Sequence, residues 1–372
     1  MESCFAEINL AHYAHNLAQI RAYLPQSAKI MAVIKANAYG HGIVEIAKKA
    51  IECGIYALGV ARIDEAIIVR KAVPHAKIVV LGYTPQSALD CAIANDIEIC
   101  VFHREIAESI SQKARAQGKI AQIHIKLDTG MGRIGFLCDE ANADSAISEI
   151  VAISKLENIA ISGIFTHFSS ADEVDLGYTQ MQMERYIGVI RGLKVRGISG
   201  FIRHCANSAG IFNHIQSVFD MVRVGIISFC GCEFASLDLK PVMSFKARVV
   251  HIKTLPKGSA VSYGRTFITQ KPTKIATISA GYADGYSRLL SNKAEVLIAG
   301  KRAKVVGNVC MDQLCVDISG IEGVKIGDEV VLFGIDEWGN EISANELAQK
   351  IGTINYEILC AVSNRVPRIY KG

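Results

Sequence analysis

Short apolar runs recur along the first 225 residues and alternate with stretches of helical periodicity. A first helix is predicted to begin near Asn9, because apolar residues then recur at three- and four-residue steps as far as Leu24. Eight apolar runs follow, and we predict strands that end at Lys35, Ala61, Tyr83, Phe102, Asp128, His167, Cys205 and Gly225. Eight strands alternating with helices favour an α/β fold with a closed (β/α)8 TIM-like barrel over a doubly wound open sheet.

A different pattern begins near Pro241, where strand candidates follow one another without intervening helices. They are the segments MSFKARVVHIKTL, TKIATISAG, AEVLIAG, RAKVVG, QLCVDIS and EVVLFG. This pattern predicts a mostly β, antiparallel C-terminal domain, and the capping box that Ser343 opens predicts one helix after it. We expect a barrel domain at residues 1–238, whose first few residues are candidates to join the β domain, and a β-rich domain at residues 239–372.

Composition narrows the class of protein. The 372 residues are 50% hydrophobic and 20% charged, which is enough for a sizeable core. The net charge of +4 comes without a dense basic run, so we expect no nucleic-acid partner. The sequence shows neither a secretory signal nor an apolar stretch of about 20 residues that would span a membrane. Eleven scattered cysteines without a CxxC pair favour a cytoplasmic protein without a disulfide frame or a metal site.

Ionisable residues gather at the ends of the predicted strands, where β/α barrels carry their active sites. They are Lys35, Lys126, Asp128, His167, His204 and Arg223. A single lysine or histidine in such a place is typically a solvated or packing residue, but five of eight strands ending this way indicate a functional site. Lys35 ends an apolar strand, where desolvation lowers an amine pKa, as a Schiff-base lysine requires.

The fifth strand predicts a buried lysine. Period-two alternation places His124, Lys126 and Asp128 on the face that points into the barrel. A buried lysine must be paired or chemically neutralised. The loop after this strand returns Arg133 over the mouth of the barrel.

Two motifs in that loop resemble unrelated sites. Residues 130–135 match G-x-G-x-x-G, but the next strand does not end in the acidic residue of a dinucleotide site. Asp128-Thr129-Gly130 resembles an aspartic-protease triplet, but a second copy is missing from the sequence. We discount both interpretations.

Small-residue loops follow the last two barrel strands. One is Asn207-Ser208-Ala209-Gly210, and the other contains Gly225 and Ile226 directly after Arg223. Phosphate is often held by the corresponding loops of β/α barrels. A lysine, two phosphate loops and an arginine together indicate pyridoxal 5'-phosphate.

The motifs resemble the alanine racemase family of fold-type III pyridoxal-phosphate enzymes, over nearly the whole chain. They are the segments AVIKANAYGHG, KLDTGMGRIG, FTHFSSADE, HCANSAG, RVGI, VSYGRTF, GYADGY and NVCMDQ. The resemblance implies two catalytic bases, Lys35 and Tyr263. It implies that the cofactor is bound by Lys35, Tyr39, Arg133, His167, Asn207, Ser208, Arg223, Gly225 and Ile226. It also implies a substrate pocket made by Arg133, Met311 and Asp312, supported by Lys126 as a carbamate, His204 and the entry-gate Tyr282.

The same resemblance implies a mechanism and a partner. Lys35 would serve the D-face of an alanine aldimine and Tyr263 the L-face, with His167 and Arg223 supporting the tyrosine. The product D-alanine would supply bacterial peptidoglycan. Each site would join the barrel of one subunit to the β domain of the other in a homodimer. One departure is Asn364, which stands where many members have a tyrosine near the phosphate.

Three alternatives stay open on sequence alone. A racemase of the same family could prefer another small amino acid such as serine. A fold-type III decarboxylase shares the domain plan, although VSYGRTF argues against it. A non-catalytic pyridoxal-phosphate carrier would lack the β domain that carries Tyr263.

Overall fold

Eight parallel strands form the N-terminal half of the computed structural model, which describes residues 2–230 and 237–372. The first strand of the chain, β1 (Cys4–Asn9), belongs to the other half. The eight strands are β2 (Lys29–Val33), β3 (Ala57–Val60), β4 (Ile78–Val80), β5 (Glu98–Val101), β6 (Ala121–Asp128), β8 (Ile159–Phe165), β9 (Ile202–His204) and β10 (Met221–Val224), and the short β7 (Phe136–Leu137) pairs with β6.

The eight strands close into a barrel. Their hydrogen-bonded order is β10-β2-β3-β4-β5-β6-β8-β9. The gap between β9 and β10 is joined by backbone bonds from Asp220 N to Arg203 O at 3.1 Å and from Arg223 N to Ala206 O at 3.0 Å. The predicted fold class is therefore confirmed.

Helices follow the strands and cover the barrel with their apolar faces. They are α1 (Leu10–Tyr23), α2 (Lys35–Tyr39), α3 (Ile43–Glu52), α4 (Ile63–Ala72), α5 (Leu89–Ala94), α6 (Arg104–Ala116), α7 (Ala143–Ser154), α8 (Gly177–Val195) and α9 (Ser208–Asn213). The predicted start of α1 is confirmed, because Asn9 Oδ1 accepts a hydrogen bond from His12 N at 3.0 Å. None of the helices in the described ranges is long and apolar enough to cross a membrane.

The C-terminal half is built on a second sheet. Its strands are β11 (Met243–Leu255), β14 (Thr273–Ile278), β15 (Glu295–Ile298), β16 (Lys301–Val305), β17 (Leu314–Asp317), β18 (Glu329–Ile335), β19 (Glu341–Ile342) and β20 (Arg368–Lys371), joined by β1, while β12 (Ala260–Val261) and β13 (Phe267–Ile268) pair separately. The long β11 pairs antiparallel with β1, β14 and β18, so β1 ties the start of the chain to this sheet. The limit between the domains, expected at residue 238, stays a prediction.

Two helices, not the one expected, precede the last strand. Ser343 Oγ accepts a hydrogen bond from Glu346 N at 3.0 Å and caps α10 (Ala344–Ile351), as predicted. The second, α11 (Asn355–Ala361), has no side-chain cap, and its seven residues are too few for periodicity to identify it. Because α11 packs against α2, the C-terminal helices reach the mouth of the barrel.

Candidate active site

A cavity of about 650 Å³ opens at the carboxyl ends of the barrel strands. Ten of the side chains and loop residues singled out from the sequence line it together: Lys35, Tyr39, Lys126, Arg133, His167, Asn207, Ser208, Arg223, Gly225 and Ile226. Residues of α10, α11 and their connection supply the opposite wall. The cavity therefore combines barrel strand ends with a cover from the C-terminal half of the same chain.

Lys35 stands at the start of a left-handed turn. Residues Ala36 to Tyr39 all have φ between 52° and 54°, a conformation that costs a residue other than glycine roughly 1–2 kcal/mol. Asn37 Oδ1 stabilises the turn by accepting a hydrogen bond from Ile43 N at 2.9 Å. The turn brings Tyr39 into the same cavity wall as Lys35. Burial, reinforced by the charge of Arg133, lowers the pKa of the Lys35 amine and favours its nucleophilic neutral form.

A small polar cradle lies beside this lysine. Gly225 N donates a hydrogen bond to Ser208 Oγ at 3.3 Å, and Asn207 Oδ1 accepts from Gly210 N at 2.9 Å. A Cβ atom on Gly225 would lie 2.6 Å from the Tyr39 hydroxyl, so glycine is needed for the phenol to approach. Burial raises the pKa of Tyr39, which keeps its hydroxyl a hydrogen-bond donor. The Tyr39 and Ser208 hydroxyls and the Gly225 amide therefore lie close together, and donors of this kind suit a phosphate group.

Lys126 is buried without a hydrogen-bond partner for its Nζ atom among the described residues. Its amine lies 4.9 Å from the centre of the Phe165 ring. Burial and the charge of Arg223 lower its pKa to about 7. The sequence prediction that this lysine points into the barrel is thereby confirmed.

Asp128 shapes the loop that carries Arg133. Its carboxylate accepts hydrogen bonds from the backbone of Gly130, Gly132 and Arg133 at 3.0, 3.1 and 3.2 Å. The Asp-Thr-Gly triplet thus forms a loop anchor, which agrees with our discounting a protease site.

Arg223 is buried at the base of the cavity, where burial lowers its pKa to about 10. One terminal nitrogen contacts the His204 carbonyl oxygen and Nδ1, at 2.8 and 3.2 Å. The other contacts the carbonyl oxygens of Thr166 and Cys205, both at 2.8 Å, and His167 Nδ1 at 3.1 Å. The Nε–H group of the guanidinium takes part in none of these contacts.

Charge indicates what the cavity binds. Lys35, Lys126, Arg133 and Arg223 bring four basic side chains to its wall, and Asp172 is the single carboxylate residue among the described lining residues. This balance suits an anionic ligand. Residues 2–230 and 237–372 contain no cluster of His, Cys, Asp or Glu that could hold a metal ion.

The remaining predicted residues lie elsewhere in this chain. Tyr263, Tyr282 and Met311 are 73%, 42% and 53% exposed, and neither they nor Asp312 line the cavity. Their loops are joined by hydrogen bonds from Tyr282 N to Cys310 O at 3.0 Å and from Asn308 Nδ2 to Tyr263 O at 2.8 Å. We call the loops 262–265, 281–284 and 308–312 the tyrosine patch.

Asn364 and Tyr356 differ from the sequence expectation, whereas His204 was expected as a supporting residue. His204 lies beneath the cavity and reaches it through Arg223. Asn364 is exposed and does not line the cavity. Instead, Tyr356 on the unpredicted α11 lines it, with its ring centre 6.0 Å from that of Tyr39. One feature of the sequence points to Tyr356: it lies shortly after the helix that Ser343 caps.

Comparisons with known proteins agree along the whole chain. The description "Alanine racemase, N-terminal domain" matches residues 8–232, and "Alanine racemase, C-terminal domain" matches residues 242–370. The alanine racemase of Clostridium tetani is 46% identical over 372 residues, covering 98% of this chain and 95% of the relative. Alanine racemase 2 of Caldanaerobacter subterraneus subsp. tengcongensis is 44% identical over 368 residues, covering 98% and 94%.

Solved structures give the same result. The alanine racemase of Clostridium difficile 630 superposes with a TM-score of 0.92 at 40% identity, covering 100% of this chain and 96% of the other. The alanine racemase of Bacillus anthracis, solved with bound L-Ala-P, superposes with a TM-score of 0.90 at 35% identity, covering 100% and 96%.

Proposed function

The chain belongs to the alanine racemase family of isomerases, and we propose that it interconverts L-alanine and D-alanine with pyridoxal 5'-phosphate held in the cavity described above. The observation that carries this proposal is the placement of Lys35, a desolvated amine, beside a donor cradle in a cavity lined by four basic side chains.

The residues present fit the cofactor. Tyr39, Ser208 and the backbone of Gly225 and Ile226 would hold its phosphate. Lys35 would carry it covalently, and Arg223 Nε would face its ring nitrogen. Arg133 would meet its phenolic oxygen and the substrate carboxylate. When bound, pyridoxal phosphate supplies an electron sink for the charge left when the α-proton departs.

Lys126 fits an anionic modification. Its unpartnered, buried amine has a pKa of about 7 and is therefore largely neutral under mildly basic conditions. We propose that it forms a carbamate with carbon dioxide and releases one proton. The negative carbamate would then hold the Arg133 guanidinium over the cavity.

Two groups exchange the α-proton in the proposed reaction. The Lys35 amine takes or gives the proton on the D-face, and the Tyr263 phenol acts on the L-face. His167 supports the phenol, because its Nδ1 faces Arg223 and must accept, so its Nε2 carries the proton that it donates. Burial and the charge of Arg223 hold the pKa of His167 well below its usual range, which keeps the imidazole neutral in this role.

The position of Tyr263 supports a shared site. Tyr263, Tyr282 and Met311 of the tyrosine patch are exposed and lie outside the cavity of their own chain, while the proposed reaction needs a second base. We propose a homodimer in which each patch supplies Tyr263, Met311 and Asp312 to the partner barrel and Tyr282 narrows the entry. The two domains would divide at residues 238 and 239, as expected from the sequence.

We further propose a cytoplasmic role in making D-alanine for peptidoglycan. Nine cysteines of the described residues, among them Cys100, Cys138 and Cys205, are free thiols, which suits a reducing compartment. Membership in the family, shared with bacterial relatives, supports the biosynthetic role.

The proposal is tested by incubating the protein and pyridoxal phosphate separately with L-alanine, L-serine and L-lysine in deuterated water. D-alanine carrying α-deuterium is the expected product, and a Lys35→Ala variant is the control without the amine. Preferred formation of D-serine would reassign the substrate. Release of a diamine from lysine would indicate a decarboxylase, and retention of the α-proton in all three amino acids would indicate a carrier.

A further inference from the structure

A row of four hydrogen-bonded side chains crosses the barrel interior from β5 to β10. Glu98 Oε2 lies 2.6 Å from His124 Nε2, and His124 Nδ1 lies 2.9 Å from His204 Nε2. His204 Nδ1 lies 3.2 Å from a terminal nitrogen of Arg223. All four residues are at least 96% buried. We call this row the barrel relay.

The two ends of the barrel relay fix every proton in it. A guanidinium only donates, so His204 Nδ1 must be unprotonated and its proton must sit on Nε2. That proton requires an acceptor at His124 Nδ1, which leaves the His124 proton on Nε2, directed at Glu98. One assignment of tautomers therefore satisfies all three contacts, with both imidazoles neutral.

The carboxylate end is held in its charged form. Glu98 accepts hydrogen bonds from Lys77 Nζ at 2.5 Å and from Ser162 Oγ at 3.0 Å. Although burial alone would raise the pKa of Glu98, the bonds from His124 and Lys77 lower it to about 2. The barrel relay thus has a fixed acceptor at one end and a fixed donor at the other.

The backbone beside His124 is shaped for this arrangement. A Cβ atom on Gly163 of β8 would lie 2.3 Å from His124 Nδ1, so a glycine is required for the imidazole to occupy its place. The neighbouring Phe165 ring stacks on His204 at 4.8 Å with an interplanar angle of 8°. Both imidazoles are therefore held in place by packing as well as by hydrogen bonds.

The barrel relay supplies one of the hydrogen-bond acceptors around the Arg223 guanidinium. The acceptors of its terminal nitrogens are three carbonyl oxygens and two imidazole nitrogens, and none of the five carries a negative charge. The barrel relay connects the guanidinium to the negative charge of Glu98 through aligned hydrogen-bond dipoles. If His204 adopted the other tautomer, an N–H would face the guanidinium and repel it.

We propose that Glu98 and His124 are positioning residues for Arg223. They fix the His204 tautomer and so hold the guanidinium at the orientation and charge that the cavity requires. The kinetic consequence rests on the proposed racemase function, whereas the tautomer assignment does not.

Lys77 makes the proposal sharply testable. In a Glu98→Gln variant the amide oxygen must face the obligatory donor Lys77, so the amide N–H group faces His124 Nε2. His124 then carries its proton on Nδ1, where it conflicts with the proton on His204 Nε2. Adding Lys77→Met removes this constraint, and the glutamine amide can turn its oxygen to His124 and restore the original tautomers without the charge.

The experiment combines kinetics with ¹⁵N NMR of histidine-labelled protein. For the wild type we expect His204 to show an unprotonated Nδ1 and a protonated Nε2. For Glu98→Gln we expect this pattern to be lost and kcat to fall roughly tenfold to hundredfold, with KM within about a factor of two. The double variant should recover the His204 pattern and most of kcat. Glu7→Gln, which removes a part-buried carboxylate paired with Lys246 in the other sheet, is the matched control and should change neither.

Three results would overturn the proposal. One is a protonated Nδ1 on His204 in the wild type, a measurement that needs no variant to fold. Another is a Glu98→Gln protein with the wild-type kcat and His204 spectrum, and the third is a double variant no better than the single one. If the wild type fails to racemise alanine, the proposed function fails, while the NMR comparison still decides the barrel relay.

Discussion

At the scale of the residue, Lys35 has two roles in the proposed reaction, as the covalent anchor of the cofactor and as an acid–base group. If it binds pyridoxal phosphate covalently, borohydride treatment of the loaded protein should fix the cofactor on the peptide that contains residue 35. A Lys35→Ala variant should lose this label and at least about 10³-fold of kcat, because an acid–base group and the covalent anchor disappear together. Peptide mass spectrometry and a racemase assay measure the two effects.

Lys29 is the matched control, since it begins the same strand that Lys35 follows. It is exposed, and its amine lies 4.4 Å from the centre of the Tyr56 ring. Lys29→Ala should keep both the label and the activity. A label on any lysine other than Lys35 would refute the assignment.

A second residue-scale prediction concerns Lys126. With ¹³C-labelled bicarbonate at pH 8, the wild type should show a carbamate resonance that is missing from a Lys126→Met variant. Only the neutral amine reacts, and burial lowers its pKa to about 7. The resonance should therefore weaken as the pH falls below 7 and the proton competes with carbon dioxide.

The control for Lys126 is another lysine of low exposure, Lys246, which is paired with Glu329 at 2.9 Å and with Glu7. Lys246→Met should leave the resonance unchanged. An identical spectrum from Lys126→Met and the wild type would show that the amine stays unmodified.

Single residues also show how far a sequence can be interpreted. Lys126 could be predicted as buried, since period-two alternation in β6 settles which side chains point inward. Glu98 could not be predicted as part of the site, because its role depends on His124 of β6, which contacts it, and on His204 of β9, which contacts His124. The two imidazoles lie 26 and 106 residues further along the chain, and a local sequence pattern cannot indicate contacts over such separations.

At the scale of the element, the loop that carries Tyr263 is held under strain. Ser262 has φ 62° and ψ −175°, a region that costs a residue other than glycine about 1–3 kcal/mol. Two contacts offset that cost: Ser262 Oγ donates to Asn308 O at 2.5 Å, and Asn308 Nδ2 donates to Tyr263 O at 2.8 Å. Asn308 therefore fixes the direction in which the tyrosine leaves the sheet.

An Asn308→Ala substitution should misplace Tyr263 and lower kcat by about tenfold or more, with a loss of about 1 kcal/mol in the free energy of unfolding. Steady-state kinetics and urea unfolding measure the two quantities. Asn340→Ala is the control, because Asn340 Nδ2 also bonds a backbone oxygen, that of Gly300, in the same domain. Equal kcat values for the two variants would contradict a positioning role for Asn308.

Elements were predicted where their pattern was long or repeated. The barrel strands could be located because each is a buried apolar run between amphipathic helices, and β11 could be located over its full 13 residues. The left-handed turn of α2 and the short α11 escaped prediction. The left-handed turn is stabilised by Asn37 and by Glu65, which accepts a hydrogen bond from Ala36 N at 2.6 Å. The helix α11 is stabilised by packing against that turn.

At the scale of the whole molecule, the proposed bases lie on different surfaces. Lys35 lines the cavity, and Tyr263 is exposed on the tyrosine patch. A closed twofold dimer would insert each patch into the other subunit's cavity mouth, so that neither site works without both chains. This arrangement can be tested with two inactive variants.

A heterodimer of a Lys35→Ala chain and a Tyr263→Phe chain has one site with both substitutions and one with neither. If the bases come from different subunits, the purified heterodimer should recover about half the wild-type kcat per dimer, although each homodimer is inactive. If both bases came from one chain, each site of the heterodimer would retain one defect and activity would stay absent. Pairing Lys35→Ala with Arg223→Ala is the control, since both residues line the barrel side and either arrangement leaves both sites broken. Recovery in the first pair without recovery in the control therefore identifies a shared site, because general stabilisation by pairing would raise both.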